Sequence, residues 1–324
     1  MKLIIQIPCY NEEGALAATL ADLPRRVEGV DRVEVLVIDD GSTDRTGEVA
    51  RRAGADHVVR HTANLGLARA FRSGIEACLR LGADVIVNTD ADNQYRGEDV
   101  AALIRPVLEG RADIVVGDRQ TSGLEHFSPV KRLLQRLGSM VVRRLSGLDV
   151  PDAVSGFRAL SREAALKTNI VSSFSYTIEM LIQAGHKDLQ VSHVPVGVNR
   201  VHRRSRLFQS LPQFIERSAA TMVRAYAMYQ PMRVLFGLGL VVAVVGLAPI
   251  LRFLYFYLRG EGGGHVQSLV LGGAALTMGL AIFLIGLVAD LIAFNRQLIE
   301  ITLEKVRRLE CRLGEVGDEE EISR

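Results

Sequence analysis

The sequence predicts an α/β domain built on a mostly parallel sheet, followed by a two-helix transmembrane hairpin. Three observations carry this reading. Apolar Val/Ile-rich runs alternate with helix-like segments through residues 1–120, most of those runs end in acidic or hydrogen-bonding residues, and two long uncharged stretches lie beyond residue 230. With 324 residues, 48% of them hydrophobic and 23% charged, the chain can bury a substantial core.

The strand-like runs are "LIIQIP" (3–8), "VEVLVID" (33–39), "DHVVR" (56–60), "DVIVNTD" (84–90) and "DIVVGD" (113–118). Near-continuous β-branched runs suit strands covered on both faces, as in a parallel sheet. Between them, "EEGALAATLADLPRRV" and "GLARAFRSGIEACLRLG" have helical content. Farther on, "DVPDAVSGFRALSRE" (149–163) shows no clear period, while "SFSYTIEMLIQAG" (173–185) predicts a helix and "LQVSHVPVGV" (189–198) a last strand.

Val234–Leu251, continuing past Arg252 as "FLYFYL", and Val266–Ala289 are long enough to span a bilayer, which takes about 20 apolar residues. Tyr255 and Tyr257 suit the membrane interface, and the connector "RGEGGGH" (259–265) makes the pair a hairpin. Before the first span, arginines 200, 203, 204, 206, 217, 224 and 233 face a single acid, Glu216. By the positive-inside tendency the globular part and both termini are expected on the cytoplasmic side. The apolar run at the N-terminus is too short for a signal peptide. The three cysteines, Cys9, Cys78 and Cys311, have no metal spacing, and their odd number fits a reducing compartment. The expected organisation is a cytoplasmic domain at 1–207, a juxtamembrane amphipathic helix at 208–231, membrane helices at about 234–258 and 266–289 within 232–290, and a C-terminal amphipathic helix with an acidic tail at 291–324. That last helix is suited either to pairing between subunits in a homo-oligomer or to lying on the membrane.

In an open α/β sheet, ligands gather beyond the carboxyl ends of the strands. Four such ends carry polar sets: "PCYNEE", "DDGSTD", "TDADNQY" and "GDRQTSG". Asp90 and Asp92, in Asp-x-Asp spacing with Gln94 two positions on, offer the oxygen ligands that a hard divalent cation prefers. Taken alone, two acids at a strand end equally fit a turn. Asp39 and Asp40 end another strand, and Ser42 and Thr43 are placed to cap the helix after it. An acid there can accept from a base N–H or a ribose hydroxyl, and Tyr10 offers a ring for stacking.

In order and spacing, "IPCYNEE", "VLVIDDGSTDRT", "NLGLARAFRSGI" and "DVIVNTDADNQY" resemble the motifs of family 2 glycosyltransferases with the GT-A fold. The pattern is most similar to the polyprenyl-phosphate glycosyltransferases, including dolichyl-phosphate mannose synthases and undecaprenyl-phosphate relatives. The resemblance covers about residues 1–205, and "DAVSGFRALSRE" also resembles a later motif. It implies that Pro8, Tyr10, Glu12, Asp39, Asp40 and Asp90 surround the nucleotide. Asp90, Asp92 and Gln94 would surround a Mg²⁺ or Mn²⁺ on the diphosphate, and Asp92 would thereby be catalytic. Arg119, Lys131 and Arg132 match basic positions for the acceptor phosphate. Arg200, Arg203, Ser205 and Arg206 fall where relatives carry a basic loop.

The charge pattern agrees with an anionic lipid partner. From Arg119 to Arg144 there are basic residues at 119, 131, 132, 136, 143 and 144 against one acid, Glu125. The same charge would suit nucleic acid, but the aromatics needed for base stacking are not interleaved, so no nucleic-acid partner is expected. The implied reaction is transfer of a sugar from a GDP- or UDP-sugar to a polyprenyl phosphate, dolichyl or undecaprenyl, with inversion at the anomeric carbon. A phosphate monoester, with a second pKa of about 6, is already largely anionic at neutral pH and needs no dedicated base. If a base is used, Asp152 is the residue to test. A different lipid acceptor and an inactive membrane scaffold remain as alternatives. The absence of tryptophan argues against a processive polysaccharide synthase, whose acceptor motif contains one. The Gly-x-Gly of "GLGLVV" (237–242) lies inside a membrane span and lacks the third glycine of a dinucleotide fingerprint.

Overall fold

The computed structural model describes residues 1–119, 140, 142–144, 146–171, 176–199 and 231–322. Lys131, Arg132, Arg200, Arg203, Ser205 and Arg206, together with residues 208–230 of the juxtamembrane segment, lie outside the described residues. The chain forms two compact units, Met1–Met222 with Leu303–Arg324, and Val223–Thr302.

The first unit is built on a seven-stranded sheet of order β3-β2-β1-β4-β6-β5-β7. Its strands are β1 (Lys2–Cys9), β2 (Arg32–Asp39), β3 (His57–Arg60), β4 (Val85–Asn88), β5 (Ile114–Asp118), β6 (Arg158–Ser161) and β7 (Val191–Pro195). The five runs read from the sequence became β1 to β5 with boundaries moved by one or two residues. Ile4, Ile5, Ile7, Val35, Val37, Val87 and Val115 are fully buried, each burial worth about 1.5–3 kcal/mol. The helices are α1 (Leu16–Asp22), α2 (Thr46–Arg52), α3 (Leu67–Arg80), α4 (Val100–Leu108), α5 (Arg162–Lys167) and α6 (Tyr176–His186). α3 turns Ala68, Phe71, Ile75, Cys78 and Leu79 inward at helical spacing. Its Phe71 stacks on Tyr176 at the start of α6, with ring centroids 3.9 Å apart.

Two features of this sheet set up the site. The strand order reverses at β1, which lies parallel between β2 and β4, so a crevice opens between the carboxyl ends of β1 and β4. β6 runs antiparallel between β4 and β5. Its first residue, Arg158, therefore sits opposite Asn88 at the carboxyl end of β4. The chain before it, residues 152–157, is delivered to the same edge. The sequence hid β6, because "RALS" is four residues long, begins with a charge and runs straight into α5.

The second unit contains two helices long and apolar enough to cross a membrane, α7 (Pro231–Leu258) and the portion of α8 (Val266–Ile322) within it. They meet through glycines. A Cβ on Gly239 would lie 2.9 Å from the Gly279 carbonyl oxygen, and one on Gly272 would lie 2.6 Å from that of Gly246. Close approach of small residues is how apolar helices pack without a hydrophobic driving force. Val241, Val245, Ile285 and Val288 point outward and stay exposed, as lipid-facing residues would. The separate C-terminal helix expected from residue 291 is instead the continuation of α8.

The far part of α8 belongs to the first unit. Arg307 Nη1 donates to the carbonyls of Leu166 (3.4 Å) and Thr168 (2.9 Å) at the end of α5, and its Nη2 lies 3.5 Å from Glu76 Oε1. Arg308 Nη2 donates to both Glu163 oxygens at 2.6 Å. Cys311 is buried. A cation on the last carbonyls of a helix satisfies acceptors that the helix leaves open. This stretch of α8 thus has an intramolecular seat, an arrangement the sequence reading did not include.

Candidate active site

The crevice is lined from four directions. From the end of β1 come Pro8, Tyr10 and Glu12. Pro8 is buried two residues beyond the last β1–β4 pair, Gln6 with Asn88, while Tyr10 is exposed. Asn11 takes a left-handed φ of 54°. Its Oδ1 accepts from Thr43 N at 2.8 Å, and its own N–H donates to Ser42 Oγ at 3.0 Å. Glu12 N donates to Thr46 Oγ1 at 2.8 Å. These bonds correct the capping expectation. The N-cap residue of α2 is Arg45, whose side chain makes no cap hydrogen bond; Asp44 Oδ1 accepts from Thr46 N at 2.9 Å, while the Ser42 hydroxyl faces the β1 loop.

The β2 end divides its two acids between different tasks. Asp40 accepts from His61 Nδ1 (2.7 Å), Leu65 N (2.9 Å) and Gly66 N (2.8 Å), while His61 Nε2 lies 3.0 Å from Ser73 Oγ on α3. It anchors the loop that enters α3. Asp39 Oδ1 accepts from Ser42 N at 2.9 Å. Asp39 Oδ2 is buried without a hydrogen-bond partner among the described residues, with Arg60 Nε 3.4 Å away. An acceptor buried in this way is costly unless a donor arrives.

Beyond β4, Asp90, Asp92 and Gln94 are half-buried on a tight loop, with Asn93 at a φ of 56°. The loop is held from several sides. Thr19 Oγ1 on α1 donates to Ala91 O at 2.9 Å, and Gln94 N donates to Asp92 Oδ1 at 3.1 Å. Asn199 N donates to Gln94 O at 2.8 Å and its Nδ2 to Asn93 O at 3.2 Å. The chain leading toward Arg200 is thereby fastened to the Asp-x-Asp loop. Burial pushes the Asp90 carboxyl up to about 7, and the neighbouring Asp92 charge adds to this, with Glu12 contributing; Arg119 and Arg158 oppose it. The Cys9 thiol is pushed well up by burial, then by Glu12, Asp39, Asp90 and Asp44. Carboxylates from three strand ends therefore converge on one electronegative crevice.

The fourth side comes from β5 and the loop before β6. Arg119 Nε and Nη2 donate to Asp152 Oδ2 (2.7 Å) and Oδ1 (3.0 Å), a two-pronged pair in which Asp152 is buried and the Arg119 side chain is 13% exposed. The Arg119 guanidinium is held above its usual range: burial opposes the charge, and Tyr95, Asp152 and Asp90 outweigh it. Asp152, singled out as a base, is placed as the orienting partner of Arg119.

A profile of the family described as Glycosyl transferase family 2 matches residues 4–168 of this chain. The chain is a family 2 glycosyltransferase. Among relatives of this glycosyltransferase, the undecaprenyl-phosphate mannosyltransferase of Micrococcus luteus is 30% identical over 60% of this chain and 83% of its own. The dolichyl-phosphate hexose transferase of Haloferax volcanii is 32% identical over 60% and 81%. The polyprenol monophosphomannose synthase of Mycolicibacterium smegmatis is 31% identical over 60% and 76%. Among solved structures, glucosyl-3-phosphoglycerate synthase of Mycobacterium tuberculosis, in complex with Mn²⁺, UDP-glucose and phosphoglyceric acid, matches with a TM-score of 0.57 at 24% identity. That match covers 70% of this chain and 80% of the synthase. The likeness establishes the GT-A-type fold of the glycosyltransferase domain.

Sequence reasoning had not singled out the layer behind the site. Gln6 Nε2 donates to Asn88 Oδ1 (3.0 Å), and Asn88 Nδ2 donates to Gly156 O and Tyr176 OH, both at 2.8 Å. Gly156 N donates to the buried Tyr95 hydroxyl at 3.1 Å. A polar residue inside an otherwise apolar strand was the available signal, since Gln6 and Asn88 interrupt "LIIQIP" and "VIVN".

Proposed function

We propose that this glycosyltransferase moves a sugar from a nucleotide-sugar donor to the phosphate of a membrane polyprenyl phosphate, with inversion at the anomeric carbon. The observation that carries the reading is the meeting, at one sheet edge, of the Asp90/Asp92 pair with the Arg119–Asp152 pair, in a chain bearing two membrane-length helices. Relatives named for polyprenyl phosphates, at 30–32% identity, support the acceptor class.

Asp90 and Asp92, with Gln94, would hold a Mg²⁺ or Mn²⁺. The fit rests on their chemistry: two oxygen donors in mutual repulsion, one driven toward its neutral form by burial and by the other, gain most from a cation between them. Among the described residues no group of three or more His, Cys, Asp or Glu side chains forms a metal cluster. This suits an ion that takes its remaining ligands from a diphosphate. When bound, the cation would neutralise charge developing on the leaving diphosphate.

The protein's own residues do the rest. Asp39 is proposed to accept from a base N–H of the nucleotide, and Tyr10, exposed beyond the end of β1, to offer its ring for stacking. Arg119, fixed by Asp152, offers its remaining N–H donors to an acceptor phosphate, lowering the cost of bringing one anion against another. Lys131, Arg132, Arg200, Arg203, Ser205 and Arg206 are proposed to extend this basic surface. Because the phosphate arrives already ionised, Asp152 serves the reaction as an orienter and no base is required. The catalytic domain and both termini are proposed to lie on the cytoplasmic face, a reading supported by the arginine excess in the sequence before α7.

A donor panel tests this. The full-length protein in detergent is given GDP-mannose, UDP-glucose or UDP-N-acetylglucosamine with a short-chain polyprenyl phosphate, with Mn²⁺ or with EDTA. One donor is expected to be consumed and EDTA to abolish the reaction. If no donor is consumed with metal present, or if transfer proceeds only to diacylglycerol or ceramide, the reading fails.

A further inference from the structure

Arg158 is the largest fully buried side chain among the described residues, and nothing in the reaction as described uses it. Its Nε donates to Ser155 O at 2.9 Å, its Nη2 to Ala153 O at 2.8 Å, and its Nη1 to Thr177 O at 2.8 Å, with Met180 Sδ at 3.5 Å. Among the described residues it donates to no carboxylate. A guanidinium buried against neutral carbonyls bears a large desolvation penalty, and burial brings it down to about 10. Leucine or methionine would fill such a position at less cost if volume were all that mattered.

The two carbonyls from Ala153 and Ser155 belong to the loop that reaches the Asp90 edge. A Cβ at Gly156 would lie 2.9 and 3.0 Å from the Asp90 carboxylate oxygens, so the Gly156 backbone is pressed against that acid. The same loop begins at Asp152, which holds Arg119. One fork thus grips the loop that backs Asp90 on one side and presents Arg119 on the other.

We propose that Arg158 is a positioning residue that shapes the 152–156 loop against Asp90 and thereby sets the affinity of the Asp90/Asp92 pair for a divalent cation. The inference rests on the reading that this pair holds such a cation. Outer-layer partners of this kind typically change metal affinity by about 10–100-fold.

The test compares full-length wild type, Arg158→Lys, Arg158→Met and Gly156→Ala in detergent. Mn²⁺ binding is followed by the electron paramagnetic resonance signal of the free ion, and the Mn²⁺ midpoint of turnover and the thermal midpoint are measured alongside. Arg158→Met is expected to bind Mn²⁺ about tenfold or more weaker, with the turnover midpoint moved equally, and Arg158→Lys to recover part of the loss. Gly156→Ala, which leaves the Arg158 bonds in place but crowds Asp90, is expected to weaken binding as well and remains informative if the Arg158 variants do not fold. Folded variants with the wild-type Mn²⁺ midpoint would overturn the role of Arg158 while leaving the metal site standing. Wild type that binds no Mn²⁺ and turns over fully in EDTA would instead sink the reading of the Asp90/Asp92 pair.

Discussion

Two pairs of neighbouring acids sit at strand ends in this glycosyltransferase, and they have opposite fates. Asp40, from the β2 pair, is saturated by two backbone N–H groups and an imidazole. Asp90, from the β4 pair, stands against Asp92 and is pushed toward its neutral form. Asp40 thereby holds a loop, while its neighbour Asp39 keeps one buried oxygen without a hydrogen-bond partner among the described residues. The β4 pair crowds two acidic groups together, with Asp90 raised by burial and by the Asp92 charge.

Substitutions can break that contrast. Asp92→Asn removes the second charge of the β4 pair while its loop bonds can persist, so turnover should fall by about 10²–10³-fold with little change in thermal midpoint. Initial rates and differential scanning fluorimetry on the same preparation would show the split. Asp40→Ala should do the reverse. Leaving the Leu65 and Gly66 N–H groups and His61 without their acceptor should cost about 2–4 kcal/mol of stability, read as a lower denaturant midpoint, with remaining activity following the folded fraction.

Arg119→Lys sharpens the comparison on the acceptor side. It keeps the charge but loses the fork that matches Asp152, and is expected to raise the acceptor KM by about tenfold, roughly 1.4 kcal/mol, while the donor KM stays near wild type. Steady-state kinetics with each substrate varied in turn would decide it.

The smallest effect is expected at the α8 seat. Glu163 is held below its ordinary carboxylate range, first by its hydrogen bond to Arg308, with burial opposing. A depressed carboxylate contributes stability above its unfolded pKa of about 4.3 and loses it as pH falls through the folded value. Glu163→Gln should therefore be less stable than wild type at neutral pH and equal to it at acidic pH. Denaturation midpoints across that range would show the two curves converge.

The sequence made β1 to β5 legible because fully covered parallel strands must be apolar on both faces, and Val/Ile runs have few other uses. It also pointed to Asp90, Asp92, Asp39, Asp40 and Arg119, since polar residues just past such runs fall at the ligand edge. β6 was not legible. Its four residues are fixed by pairing with Asn88 and Val116 on either side, which is information from elsewhere in the chain. The same holds for Ser42, whose local position suggested a cap but whose hydroxyl is claimed by Asn11, 31 residues earlier. Asp152 read as the candidate base, and its bond to Arg119, 33 residues away, was not legible from its own neighbourhood. The seat of Arg307 on α5 joins residues 139 positions apart, beyond the reach of any local pattern.

The central claim is cation-dependent transfer of sugar to a lipid phosphate through the Asp90/Asp92 pair. The most direct measurement is the entry of radiolabelled sugar from its nucleotide donor into organic-extractable lipid, with wild type and Asp92→Asn, each with Mn²⁺ or EDTA. Label is expected in the organic phase only for wild type with Mn²⁺ and polyprenyl phosphate together. Equal labelling by wild type in EDTA, or by Asp92→Asn, would contradict it.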